Sequence, residues 1–116
     1  MSVATQLDEE QLATLRMLRN GQLLSGLIRT YRSQTEQQLV NIRSALDARD
    51  GTGVASIAHS LKSASFSLGA TRMGQLSAAL ESAAIQRDLD QCQSIVTALQ
   101  ESYGALLPEL AKEERT

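Results

Sequence analysis

Apolar residues recur at intervals of three and four along nearly the whole chain, a spacing that a helix can bury on one face and a strand cannot. Leu24, Leu27, Ile28, Tyr31, Leu39, Ile42 and Leu46 share one stripe, with Arg29, Arg32, Gln37 and Arg43 off it, which predicts a long helix over about 22–49. Val54, Ile57, Leu61, Ala64 and Leu68 predict a second over about 53–68, and Met73, Leu76, Leu80, Ala83 and Ala84 a third over about 71–86. Leu89, Cys92, Val96, Leu99, Tyr103, Leu106 and Leu110 form the seam of a fourth over about 89–107. Pro108 is expected to kink or end that helix, because it has no amide hydrogen and its ring clashes with the preceding turn. Asp8 followed by Gln11 reads as a helix start, an N-cap with an amide reaching back, and Leu12, Leu15 and Leu18 carry a short helix over about 8–19 toward Asn20 and Gly21.

The breaks between these segments are short. Asp50-Gly51-Thr52-Gly53 offers a turn with Asp50 or Thr52 as cap, Gly69 suits the left-handed position after a helix, Thr71 can open the next one, and Arg87-Asp88 with Asp90 marks the last break. Helices joined by so few residues must run antiparallel as neighbours. The expected fold is an all-α, antiparallel up-down four-helix bundle with a short additional N-terminal helix, one domain over 1–116, with Lys112–Thr116 frayed. One Cys and one His cannot supply the four ligands of a structural zinc, so no metal site is expected. Eleven basic residues against 13 acidic, with aromatics at 3%, argue against nucleic-acid binding. No stretch approaches the roughly 20 apolar residues of a membrane span, and the N-terminus lacks the plan of a secretory signal. The expectation is a cytoplasmic protein.

The one constellation able to carry chemistry surrounds His59, the only histidine. At roughly 100° per residue it falls opposite the apolar stripe of its helix, hence outward. Ala55, Ser56, Lys62 and Ser63 stand one turn away, and small residues there leave an imidazole edge open to a large partner. Lys62 places an ammonium within reach of an anion on the ring. Phe66, the only phenylalanine, lies two turns on. It is either a partner contact or packed beneath the N-terminal helix. From spacing alone an outward histidine is ordinarily a solvated side chain and Lys62 an ordinary surface lysine.

The run Ile57-Ala58-His59-Ser60-Leu61-Lys62-Ser63-Ala64-Ser65-Phe66-Ser67-Leu68-Gly69-Ala70 resembles the signature of histidine-containing phosphotransfer (HPt) domains, and the resemblance continues through Leu76, Leu80-Glu81 and Arg87-Asp88 to Leu99, Tyr103, Leu106 and Leu110. It implies that His59 is the phosphoacceptor, that Lys62 favours the phosphorylated ring, and that Glu81 bonds the far ring nitrogen. Ser63 matches a position kept small for the partner's approach, and Ala55, Ser56 and Phe66 would join the partner-binding surface. Phe66 departs from the small residue more often found there. The implied function is a phosphorelay carrier, not a kinase, that takes a phosphoryl group from the aspartyl phosphate of a receiver domain and passes it to another receiver. The implied partners are response-regulator receivers, including that of a hybrid sensor kinase. No cofactor is expected on this chain, and Mg²⁺ belongs with the receiver.

A chain that begins with Met1 and offers one relay site is read as a free-standing, monomeric module. The competing reading is an HPt-like bundle that binds a receiver or another regulator without being phosphorylated. An enzyme using His59 as general base is disfavoured, since no Ser, Asp or Cys stands at triad spacing and an exposed helix face does not exclude water.

Overall fold

Aspartates start helices in the computed structural model, which describes residues 6–18 and 22–114. Asp50 Oδ1 accepts from the Gly53 amide at 2.9 Å and Asp88 Oδ1 from the Gln91 amide at 3.1 Å. The residue before each is left-handed, Arg49 at φ 56° and Arg87 at φ 59°, so each turn reverses the chain within a few residues. The helices are α1 (Glu9–Met17), α2 (Gln22–Asp47), α3 (Gly51–Leu68), α4 (Thr71–Ile85) and α5 (Leu89–Glu114).

The tightest reversal lies between α3 and α4. Gly69 sits at φ 88°, its amide donates to Phe66 O, and the Ala70 amide donates to Ser65 O at 2.8 Å. Glycine carries that φ without the strain a side chain would bring. Ala70 caps α4 without a side-chain bond. The N-terminal segment supplies the missing partners: the Asp8 amide donates to Gly69 O at 2.8 Å and the Thr71 amide to Gln6 O at 3.2 Å.

Packing follows from the short turns. α2 lies against α3 and α5, α3 against α4, and α4 against α5, which closes an all-α up-down bundle, while α1 lies against α2 and across the α3–α4 turn. Leu24, Ile28, Ile42, Val54, Leu61, Met73, Leu80, Val96, Leu99, Leu106 and Leu110 fill the interior. Each such side chain contributes about 1.5–3 kcal/mol by leaving water. Among the described residues no helix is long and apolar enough to cross a membrane.

The inward faces are rotated slightly from those the apolar pattern predicts. On α3 the buried row is Val54, Ala58, Leu61, Ser65 and Leu68, with Ile57 and Ala64 at its edges. On α4, Gly74 and Ser77 are buried and Leu76 only partly. Small residues can sit at the centre of a helix contact, where they let backbones approach, and larger aliphatics then flank it. Their hydroxyls are satisfied: Ser65 Oγ pairs with Tyr31 Oη at 2.8 Å, and Ser77 Oγ donates to Met73 O at 2.7 Å. Leu27, assigned to the buried stripe of α2, is instead 40% exposed.

Three further expectations are corrected. α5 does not stop at Pro108 but continues to Glu114. Pro108 and Gly104, the residue whose carbonyl loses its donor, are both exposed, so water can satisfy that carbonyl, while Leu110 beyond it is fully buried. The tail over Lys112–Glu114 is helical rather than frayed, because Glu113 accepts from Arg16 at 2.9 and 2.7 Å and Glu114 accepts from Arg32 at 3.0 Å. Arg115 and Thr116, like Asn20 and Gly21 at the expected end of α1, lie outside the described residues. Asp8 does cap α1, accepting from the amides of Glu10 and Gln11, but the Gln11 side chain does not return the bond. It donates to the carbonyls of Phe66 and Ser67 at the end of α3.

An interior proline held in place by packing is a standing cost. Pro108→Ala is expected to raise stability by about 1–3 kcal/mol, measured by denaturant unfolding.

Candidate functional site

The α3–α4 hairpin, hinged on Gly69 and Ala70, decides which side chains meet. In that register Phe66 faces Gly74 and, two turns further from the hinge, His59 faces Glu81. His59 is on the outer face of α3 with 61% of its side chain exposed. Glu81 Oε2 lies 2.9 Å from His59 Nδ1, and Glu81 Oε1 accepts from Lys62 Nζ at 2.8 Å. One carboxylate thus holds both the ring and the ammonium. Lys62 is engaged by Glu81 rather than standing open beside the ring.

The Lys62 bond, assisted by the His59 bond and by the charges of both partners, holds the Glu81 carboxyl below its ordinary value, against an opposing push from burial. An ionised carboxylate only accepts, so Nδ1 must be the donor, and the lone pair of the neutral ring then resides on Nε2. The two nitrogens sit across the ring from each other, so with Nδ1 directed at α4 the nucleophilic nitrogen is turned away from α4.

Around the ring, Ser56 and Ser63 are exposed and Ala55 is half-buried. Phe66 takes a course between the two that its sequence position left open. Its ring lies on α4, where a Cβ at Gly74 would fall 2.7 Å from Phe66 Cε1, yet it remains 42% exposed. α1 reaches only its carbonyl, through Gln11. On the other side of α3 an open, mainly apolar groove of about 160 Å³ is bounded by Leu27 and Thr30 of α2 and Ala64 and Ser67 of α3, with Tyr31 and Leu68 also lining it. Leu27 and Gly74 are the residues that the sequence left out of the site. The available signal was slight: an apolar side chain at the edge of its stripe, and a glycine inside a helix with no turn to make. Among the described residues no group of three or more His, Cys, Asp or Glu is placed to hold a metal ion.

A family model described as the Hpt domain matches residues 26–109, from within α2 to within α5. The chain belongs to the Hpt domain family. Members of this family are phosphotransfer intermediates, not kinases. The Hpt fold is seen again in the crystal structure of histidine-containing phosphotransfer protein B (HptB) from Pseudomonas aeruginosa, which superimposes with a TM-score of 0.90 over 97% of each chain at 23% identity. No curated protein matches the sequence. α1 lies outside the span the family model matches, while the superposition with HptB covers nearly the whole chain.

Glu81 favours its ionised form in the folded Hpt domain, so its contribution to stability is present above the unfolded carboxyl midpoint and is lost as pH falls through the folded one. Lys62→Met removes the larger of the two bonds, and a side-chain carboxyl NMR titration is expected to show the Glu81 midpoint rise toward its ordinary value. Gly74→Ala must displace the Phe66 ring and is expected to cost about 1–3 kcal/mol in denaturant unfolding.

Proposed function

We propose that this Hpt domain is a phosphorelay carrier in which His59 accepts a phosphoryl group on Nε2 from the aspartyl phosphate of a receiver domain and passes it to another receiver. The observation that carries the reading is the exposed imidazole bonded at Nδ1 by an ionised Glu81, because this presents one nitrogen as the nucleophile and keeps the other protonated. Attack by Nε2 on phosphorus places positive charge on the ring, and the carboxylate at 2.9 Å opposes that charge. Lys62 supports the arrangement through Glu81.

In-line transfer needs alignment and neutralisation of the equatorial oxygens. The partner would bring most of that, including Mg²⁺ and the carboxylate it screens, and this chain would bring no cofactor. Ser56 and Ser63 leave room for the receiver, and the Leu27 groove and the exposed part of Phe66 supply apolar surface between His59 and the Gly69 turn. A relay intermediate must release each partner, which suits a footprint at the small end of known interfaces. Receivers of response regulators, including that of a hybrid sensor kinase, are the proposed partners, met in the cytoplasm by a monomer.

The test is to mix the full chain with a phosphorylated receiver and follow the label. Label is expected on the chain, acid-labile and alkali-stable, and absent from His59→Gln. Label that persists in His59→Gln, or none on the unaltered chain with any receiver from its host, overturns the reading.

A further inference from the structure

Once phosphorylated on Nε2, the ring has one remaining place for a proton, Nδ1. That proton decides how the phosphoryl group can leave. With Nδ1 protonated, the P–N bond breaks to release a neutral imidazole. Without it, the ring would have to leave as an imidazolide anion, a much poorer leaving group. A side chain that is 61% exposed would otherwise have this choice made by the solvent.

The groups that face the ring all bear on that proton. From α4, Glu81 lies 2.9 Å from Nδ1 with its carboxyl held ionised. From α3 itself, Lys62 is bonded to the other oxygen of Glu81 and keeps the carboxylate charged and aligned. The α2 side chains Leu27, Thr30 and Gln34, and the Tyr31 hydroxyl that pairs with Ser65, are uncharged and line a groove against Ala64, Ser67 and Leu68, toward the Gly69 end of α3 from the ring. α1 meets α3 near its C-terminal end, through Asp8 and Gln11, about two turns or more from His59. The negative charge nearest the ring is therefore aimed at the nitrogen that must keep its proton.

We propose that Glu81 serves the outgoing leg of the relay: it retains the Nδ1 proton on the phosphorylated ring and so keeps the phosphoryl group transferable at neutral and mildly alkaline pH. The step balances without a further reagent. A receiver aspartate oxygen forms the new O–P bond, the P–Nε2 bond breaks with its electron pair remaining on Nε2, and Nδ1 keeps its hydrogen on Glu81 throughout. The products are an aspartyl phosphate and the neutral ring from which acceptance began. Acceptance makes a different demand: it needs Nε2 unprotonated, a condition that rising pH favours. The two legs should therefore respond differently to alkali. This inference rests on His59 being the phosphoacceptor.

The experiment charges the full chain, unaltered and as Glu81→Gln and Glu81→Asp, from a phosphorylated receiver. Transfer to a fresh receiver is then timed from pH 6 to 9, and acceptance is timed over the same range. The receiver's own titrations are common to all three chains and cancel in the ratios. Glu81→Gln is expected to move the alkaline fall of donation to lower pH, and with it the ring titration of the phosphorylated chain followed by ³¹P NMR. Acceptance by Glu81→Gln should still rise with pH and show no alkaline fall, and Glu81→Asp should restore part of the alkaline limb of donation. Circular dichroism checks that each variant is folded, and Glu81→Asp carries the comparison if Glu81→Gln is not. A donation limb and ring titration unmoved by substitution, or equal slowing of both legs at every pH, overturns the inference while leaving His59 as phosphoacceptor. An unaltered chain that takes no label on His59 overturns the underlying reading as well.

Discussion

The left-handed turn at Gly69 is the constraint on which the site depends. It ends α3, reverses the chain within two residues and sets the register of α4 against α3. His59 and Glu81 meet because both stand at matching distances from that hinge, and Phe66 meets Gly74 for the same reason. A slip of one residue in α4 would rotate Glu81 by roughly 100° about its axis, away from the ring. The bundle interior, with Leu61 on α3 and Met73 and Leu80 on α4 fully buried, opposes such a slip because it would expose those side chains. Core packing thus holds a bond that lies on the surface.

The site asks little of electrostatics and uses one charge twice. A lone carboxylate beside an exposed imidazole would be free to rotate and to take a proton as pH fell. Lys62, one turn from His59 on the same helix, fixes its second oxygen and favours its ionised form. The result is a defined tautomer on a ring that is otherwise open to a partner.

α1 extends the same logic to the end of the bundle. Gln6 and Asp8 pair with the backbone of the α3–α4 turn, Gln11 takes the carbonyls of Phe66 and Ser67, and Arg16 holds Glu113 at the far end of α5. Of these, the Ser67 and Gly69 carbonyls and the Thr71 amide are backbone groups that helix ends leave without partners. Their satisfaction by a separate helix ties the turn that sets the register to the last turn of α5.

Much of this was legible in the chain itself. Periodicity located the helices, because burying one face is a local requirement repeated every turn, and it placed His59 outward by the same rotation that placed Leu61 inward. Asp50, Gly69 and the Arg87-Asp88 break announced their turns because backbone dihedrals are local chemistry. What spacing did not reveal was long in range. Pro108 obeys the packing of Leu110 and the pairing of Glu113 and Glu114 rather than its own helix propensity. Gln11, suited to close its own cap, bonds a helix that lies far along the chain. Phe66 needed Gly74, and Lys62 found Glu81, only when α4 had folded back. The sequence by itself determined the helices, their order and the identity of the only imidazole; the tertiary structure decided which carboxylate oxygen met which nitrogen, since that depends on the depth and register of two helices whose side chains are strangers in sequence.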